Sequence, residues 1–555
     1  MNEQELSGKK NKSIRALENK ALKNDINALF QLANYYEQGQ YVEKNIKLAE
    51  DYYLKTVEIF KCQKFKISSL KLVNFRIFEN LELYPCNNEN SNLTVLIGNN
   101  GAGKTTILDS ISICLSWLVK AITTKTPNGK SISSADITNN NLIEYASVLV
   151  KFSILENFDS KIELTKTVDG SNSKRSSYFQ DIKKLASIYK LANEKNKSFN
   201  FPIMAFYSVE RAVDIKNKDV ISFDEIKDQK LWGKFDGYTK ALTGAADFEL
   251  FFNWFKYMDD INNENDNKFL MSTIKKLKAE LEDDLFKEKL KVSEKSGEKN
   301  DFFISFKNKN LKEIAKLEKI LNESERLQSG KFINNVAEAI YKFMPGFNNL
   351  RIQRSPSLKM LIDKNDLTLS VLQLSQGEKS MLALVADISR RLVLLNPSLE
   401  NPLKGSGIVL IDEIDLHLHP MWQQNILPNL EKTFPNIQFI VSTHSPQVIT
   451  TVGHESIKIL RDGGLFSAPK GSKGAESSRV LKRLFNVETR PPHDSNTQDL
   501  AEYKILVYKD DWECVEALKL RNKLNNEFGG EEPDLVELDL YIENRIWEKK
   551  IEEDK

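Results

Sequence analysis

Gly98-Asn99-Asn100-Gly101-Ala102-Gly103-Lys104-Thr105 has the spacing of a phosphate-cradling loop, GxxxxGK[ST]. Its glycines let the backbone wrap an anion, so that several N–H groups and the start of a helix converge on it. Lys104 is placed to reach the β- and γ-phosphates of a nucleoside triphosphate. The Thr105 hydroxyl is placed to bind Mg²⁺, and Thr106 continues the same turn. Downstream, GIVLIDEID carries a four-residue apolar run, 408–411, ending in Asp412 and Glu413. An acid at that point can hold Mg²⁺ through water, and the next can polarise an attacking water as a general base. Between them in the chain, Leu374-Ser375-Gln376-Gly377-Glu378 opens a helix, so Ser375, Gly377 and the helix start form a second anion site beside Glu378. Ser375 with Glu378 also reads simply as a helix cap. His417 and His419 in DLHLHP alternate as a metal pair would, but with no third ligand apparent they read as capping or packing residues.

These residues need a parallel sheet to hold them. The strand TVLI ends at the phosphate loop, and a helix begins within the loop. LTLSVLQLS, GIVLID and NIQFIVST then alternate with helices, and FPIMAFYSV reads as a further apolar strand. FKISSLKLVNFRIFENLELYP, ASVLVKFSIL and KIELTKTV alternate in the manner of antiparallel strands. The expected organisation is a helical region over 1–62, a first ATP-site lobe over 63–212 and an inserted helical arm over 213–345. A second lobe over 346–470 and a helical, highly charged tail over 471–555 complete it. The arm is read from LKAELEDDLFKEKL and LKEIAKLEKILNESERL around a polar KSGEKN loop. In the first region, Leu29, Leu32, Ala33 and Tyr36, then Ala49, Tyr52, Tyr53 and Val57, fall at helical spacing around Gly39.

The 555 residues suffice for about three or four domains. Lysine plus arginine (79) nearly cancel aspartate plus glutamate (78), which excludes a wholesale polycation but not a local basic patch. Cys62, Cys86, Cys114 and Cys514 lack paired spacing, so neither a disulfide framework nor a zinc ribbon is expected, and a reducing compartment fits. The N-terminus lacks an apolar leader, and the longest apolar run, 111–122, is short and interrupted by Ser112, Ser116 and Lys120. A cytoplasmic protein without membrane contact is expected.

In this order along the chain, the motifs resemble those of ABC ATPases, with LSQGE as the signature in its LSxGE form. That resemblance implies ATP and Mg²⁺ as cofactors and an ABC-ATPase head of α/β class: a P-loop parallel sheet plus an antiparallel β-subdomain. It implies that Ser375 and Gly377 reach the γ-phosphate held by a second subunit, that Asp415 lies in the loop crossing the dimer seam, and that His444 in VSTHSP is the switch histidine. ISSLKLVNFRIFENLEL resembles the opening of RecF, Rad50 and SMC-type ATPases. YSVERAV, AIYKFMPGFNNLRIQRSP, QLSQGEKSMLALVADISRRL and IDEIDLHLHPMWQ resemble the PtuA-type ATPases of Septu and retron anti-phage systems, over roughly 65–451 and the EEPDLVELDLYIENRIWEKK tail. The first region is similar to a single Sel1-type repeat, which cannot bury both of its faces alone.

The PtuA resemblance implies a homodimer or higher homo-oligomer, a separate HNH nuclease (PtuB-like) and, in retrons, a reverse transcriptase with its RNA–DNA. One departure is the lack of a glutamine after the Lys104 helix, where Asp136 or Asn139 could take its place or form a polar turn. Arg76 and Arg211 read either as phosphate or DNA contacts or as surface ion-pair partners. The stretch after Pro446 is expected to be too short for a TOPRIM nuclease, and Asp510-Asp511 makes no convincing metal triad. A RecF/Rad50-like repair ATPase and a nucleotide-gated scaffold with little turnover stay open as alternatives.

Overall fold

The structure, a computed structural model, describes residues 3–86, 91–139, 143–168, 170, 175–211, 232–262, 264–282, 302–326, 329–529 and 531–553. It forms two compact units, Met1–Gly474 and Ala475–Lys555.

The first unit opens with α1 (Glu3–Leu22), α2 (Ile26–Gln38) and α3 (Ile46–Phe60). Asp25 and Asn45 start the latter two by accepting the Ala28 and Leu48 N–H groups, and Gly39 ends α2 at φ 68°. Ile14 and Ala21 of α1 cluster with Ala28, Leu29 and Leu32 of α2. At the other side, Phe60 packs on Tyr189 and Phe199, with ring centroids 4.8 and 5.9 Å away. The two-faced helical pair is thus covered by an extra helix and by the neighbouring lobe.

Next come β1 (Lys66–Phe75), β2 (Phe78–Leu83), β3 (Leu93–Gly98) and α4 (Lys104–Thr123), followed by β4 (Tyr145–Leu155), β5 (Phe158–Thr167), α5 (Gln180–Lys195) and β6 (Ile203–Tyr207). Strands β2-β1-β4-β5 form an antiparallel sheet. Helix α4 corrects one expectation. It is long and apolar enough to cross a membrane by length and composition, and 78% of its apolar window is buried. Ser112 is buried in the helix's apolar surface, and Ser116 turns its hydroxyl back onto the Ile113 carbonyl (2.6 Å), so neither serine breaks the helix.

Helices α6 (Phe248–Asn262), α7 (Glu264–Glu282), α8 (Phe302–Arg326) and α9 (Ser329–Phe343) follow. Helices α7 and α8 pair with each other, through Lys278–Glu318 (2.7 Å), whereas α6 and α9 pack on each other and on the body of the unit. The KSGEKN loop and residues 213–231 lie outside the described residues.

An antiparallel sheet of β7 (Phe347–Gln353), β8 (Lys359–Lys364) and β9 (Leu367–Ser370) precedes α10 (Gln376–Leu395). LTLSVLQLS therefore supplies no strand of the parallel sheet. Its four strand residues are exposed or half-buried and pair with β8, whereas a parallel strand needs a continuously buried run. Such runs are β10 (Gly407–Ile411) and, after α11 (Pro420–Thr433), β11 (Ile437–Ser442), which are buried throughout. With β12 (Ile457–Arg461) and β13 (Gly464–Ser467) they complete a sheet of order β13-β12-β3-β11-β10-β6, parallel except at β13.

In the second unit, α12 (Ser495–Tyr508), α13 (Val515–Phe528) and α14 (Pro533–Glu553) surround Leu500, Tyr503, Val507, Ala517, Leu524, Leu535 and Leu538. Arg490 and Lys504 both pair with Asp534 (2.5 and 2.6 Å). Asp510 pairs with Arg545 and Lys549, each at 3.2 Å, so it is an ion-pair residue of this bundle.

Candidate functional site

The phosphate loop leaves β3 at Gly98 and exposes Asn99, Asn100 and Gly101 to solvent. Gly103 caps α4 at φ 97°, and any Cβ there would lie 2.4 Å from the Phe78 ring. Only glycine fits both demands. No side chain caps the helix start, so its N–H groups are left to the loop's concave side. Lys104 is buried, and its Nζ donates to the Gly98 and Asn99 carbonyls at 2.9 and 3.1 Å. Burial lowers its pKa, against the pull of Asp412, Glu413 and Asp415. The sheet brings those acids close: Thr105 Oγ1 donates to Asp412 Oδ2 at 2.7 Å across adjacent elements. Thr106 is buried behind them.

Asp412 is 1% exposed, and its N–H donates to the Tyr207 carbonyl (2.7 Å). Ser442, at the end of β11, donates its hydroxyl to Asp412 Oδ1 (2.5 Å) and accepts the Glu413 N–H (2.8 Å). Glu413 takes a left-handed backbone, φ 45°, which costs energy in a residue bearing a Cβ and holds it at the turn out of β10. Asp415 accepts the Thr443 hydroxyl at 2.5 Å. His444 follows, half-buried. Burial lowers its pKa, helped by Lys104 and opposed by Glu413, Asp415 and Asp412. Ser442 and Thr443 are the residues that motif reading passed over. A Ser-Thr pair at the end of a buried strand, just before the histidine, is the available signal.

The signature lies at the start of α10. Ser375 and Glu378 form a reciprocal capping box, in which Glu378 Oε2 accepts the Ser375 N–H (2.8 Å). Its Oε1 pairs with Lys364 at 2.6 Å. Burial pushes the Glu378 pKa up, but Lys364 and Ser375 pull it below the ordinary carboxylate value. Glu378 thus has one oxygen engaged at the helix start and the other by Lys364 of β8. A Cβ at Gly377 would lie 2.4 Å from the His417 carbonyl, so the signature is seated on the loop after Asp415. His419 Nδ1 caps α11 by accepting the Met421 N–H at 3.3 Å.

Asp136 is also engaged. Its Oδ1 pairs with Arg76 (2.9 Å), its Oδ2 accepts the Ser133 N–H (2.9 Å), and Arg76 reaches Asp109 on α4 as well (2.7 Å). Burial would raise the Asp136 pKa, but the Ser133 and Arg76 bonds lower it. Of the two glutamine substitutes considered, only Asn139 is exposed. The Arg211 side chain lies outside the described residues.

The residues fit a nucleotide with Mg²⁺: a glycine-lined anion cradle, one buried lysine, and a hydroxyl–carboxylate pair of hard oxygen donors. The protein family described as "AAA domain, putative AbiEii toxin, Type IV TA system" matches residues 93–450, and "P-loop containing region of AAA domain" matches 67–118. The chain is 41% identical over 545 residues to the Retron Ec83 probable ATPase of Escherichia coli, covering 98% of each chain. It is 35% identical over 512 residues to the Retron Vc95 probable ATPase of Vibrio cholerae serotype O1 biovar El Tor, covering 90% of this chain and 95% of that one. Over 73 residues it is 45% identical to the Septu protein PtuA of Bacillus mycoides, 13% of this chain and 10% of that one.

Proposed function

The chain belongs to the retron-associated family of P-loop ATPases, and from that premise we propose that it is the ATP-hydrolysing regulatory subunit of an anti-phage complex that controls a separate HNH nuclease. The observation that carries the ATPase half is the Thr105–Asp412 hydrogen bond at 2.7 Å, with Glu413 next in the chain. Mg²⁺ bound there, held by Thr105 and Asp412, would neutralise phosphate charge. Lys104 would exchange the Gly98 and Asn99 carbonyls for the β- and γ-phosphates. Glu413 would take a proton from the attacking water, and His444, kept neutral by its surroundings, would hydrogen-bond beside the γ-phosphate.

Ser375 and Gly377 would complete the site from a second copy. Within one copy they sit on the loop that follows Asp415, which ties the signature to the acid strand. The reading therefore has an ABC-type composite site at the dimer seam. For the partner, the second unit turns Val536, Leu540, Trp547 and Ile551 of α14 outward, opposite its buried Leu535 and Leu538. This apolar stripe suits a docked protein, the nuclease in our reading. A retron reverse transcriptase with its RNA–DNA would complete the assembly, as the retron relatives suggest.

The test is phosphate release by the purified chain, with Glu413→Gln as reference, joined to affinity capture from cells carrying the native operon. Turnover abolished by Glu413→Gln, with recovery of an HNH protein, supports the proposal. Turnover at background in the wild-type chain would replace it with the nucleotide-gated scaffold, and capture of bulk DNA and repair proteins alone with a repair ATPase.

A further inference from the structure

The carboxyl end of α4 borders a cavity of about 550 Å³. At 1.5 Å per residue this end lies about 30 Å from the phosphate loop. Val119, Tyr238 and Leu242 give the cavity buried apolar walls, and Lys120, Lys130 and Lys240 stand exposed at its mouth. The cavity is built from pinned parts. The Lys130 N–H donates to Ser116 Oγ (2.7 Å), Trp117 Nε1 donates to the Lys130 carbonyl (2.7 Å), and Lys130 Nζ donates to the Leu242 carbonyl (2.6 Å). On the opposite side, the Phe206 and Ser208 N–H groups of the β6 edge donate to the Ala241 and Gly244 carbonyls, each at 2.8 Å.

The charge at the mouth is positive. Lys240 is paired with Asp247 (2.8 Å), Lys130 is bonded to a carbonyl, and Lys120 has no partner among the described residues. The partial negative charge of the α4 terminus is already countered. The Thr123 and Thr124 hydroxyls donate to the Val119 and Lys120 carbonyls (2.8 and 2.7 Å), and Lys190 Nζ donates to the Thr124 carbonyl (2.9 Å). An apolar cleft of this size with cations at its entrance suits a ligand with a flat apolar body and an anionic end.

We propose that this cavity is a second binding site, for a nucleotide unit: a base in the cleft and its phosphate at the lysines. The unit could belong to a free mononucleotide or to the 5′ end of a strand. The cavity's far wall is bonded to the ATP site. Arg391 Nη1 donates to the Gly237 and Thr239 carbonyls (2.7 and 2.9 Å), its Nε donates to Asp387 (2.7 Å), and Asp387 accepts the Tyr207 hydroxyl (2.9 Å). Tyr207 in turn accepts the Asp412 N–H. A ligand here would therefore press on the signature helix and the acid strand together. The site does not depend on the ATPase reading.

The test is calorimetric titration of the full-length Lys104→Ala chain, whose phosphate loop is disabled, with AMP, with adenosine and with a 5′-phosphorylated oligothymidine. Saturable binding of AMP or the oligonucleotide, weakened about tenfold or more by Lys120→Glu and blocked by Thr243→Trp at the cavity rim, supports the site. AMP binding assigns a free nucleotide, and binding of the oligonucleotide alone assigns a strand end. No saturable binding by either overturns the proposal. So does binding that Lys120→Glu leaves unchanged, or adenosine binding as tightly as AMP. ATP titrated into the wild-type chain reports separately on the phosphate loop, and thermal melting of each variant confirms that it is folded.

Discussion

Ser442 holds two consecutive acids at once: its hydroxyl donates to Asp412 Oδ1 at 2.5 Å and accepts the Glu413 N–H at 2.8 Å. A residue of β11 thereby sets the carboxylate that would hold the metal and the backbone of the residue that would activate water. Ser442→Ala leaves a buried carboxylate oxygen short of one donor and frees the Glu413 turn. Turnover is expected to fall about tenfold or more, roughly 1.4 kcal/mol of barrier, with nucleotide affinity changed little. Steady-state phosphate release beside equilibrium ATP binding checks this.

Lys104→Ala removes the one buried cation of the cradle and is expected to abolish ATP binding. Glu413→Gln keeps the backbone of the site and should retain ATP while stopping turnover, so that ATP-bound dimers accumulate. Light scattering with and without ATP reads both outcomes. Equal loss of nucleotide by the two variants would show that Glu413 serves binding rather than water activation.

Gly377→Ala places a methyl 2.4 Å from the His417 carbonyl, a backbone atom that cannot swing aside. The signature must shift, at a cost of about 1–3 kcal/mol. Because the phosphate loop is untouched, ATP binding by a single copy should persist while turnover is lost. Mixing this variant with Lys104→Ala should restore part of the activity if each site combines two copies. No recovery would place the whole site in one.

His444 titrates below the ordinary histidine value, chiefly through burial and then through Lys104. The folded, nucleotide-free chain therefore binds its proton less readily than the unfolded chain. Its stabilising contribution is complete above about pH 6.5 and is lost as pH falls through the lowered folded value. His444→Gln should flatten that part of the stability–pH curve, as read by urea midpoints between pH 5 and pH 8 against the wild-type chain. An unchanged acid limb would assign it to another group.

Much was legible in the residues alone. The phosphate loop, the Asp412–Glu413 pair and the LSQGE helix start are local motifs, whose spacing follows from one turn of backbone around an anion or one strand end. The buried runs of β3, β10 and β11 announced a parallel sheet because strands covered on both faces must be apolar throughout. Other features were closed to such reading. Whether Asp136 forms a polar turn or a substitute ligand was open in the sequence, and its bond to Arg76, sixty residues away in the chain, could not be read there. Nor could the sequence show that Lys364 pairs with one oxygen of Glu378.

The buried Asp387–Arg390–Arg391 cluster shows the same division. Its i, i+3, i+4 spacing within α10 is visible in the sequence, but the link from Arg391 to Gly237 and Thr239 exists only because the fold lays that segment against α10. By itself, then, the sequence determined the nucleotide-site motifs, since that chemistry is written in neighbours along the chain. Only the tertiary structure decided which polar groups are already engaged, which hydroxyl bridges which acid, and where a second cavity opens. Those are matters of contact between distant segments, and they follow from how the sheet and helices close on one another.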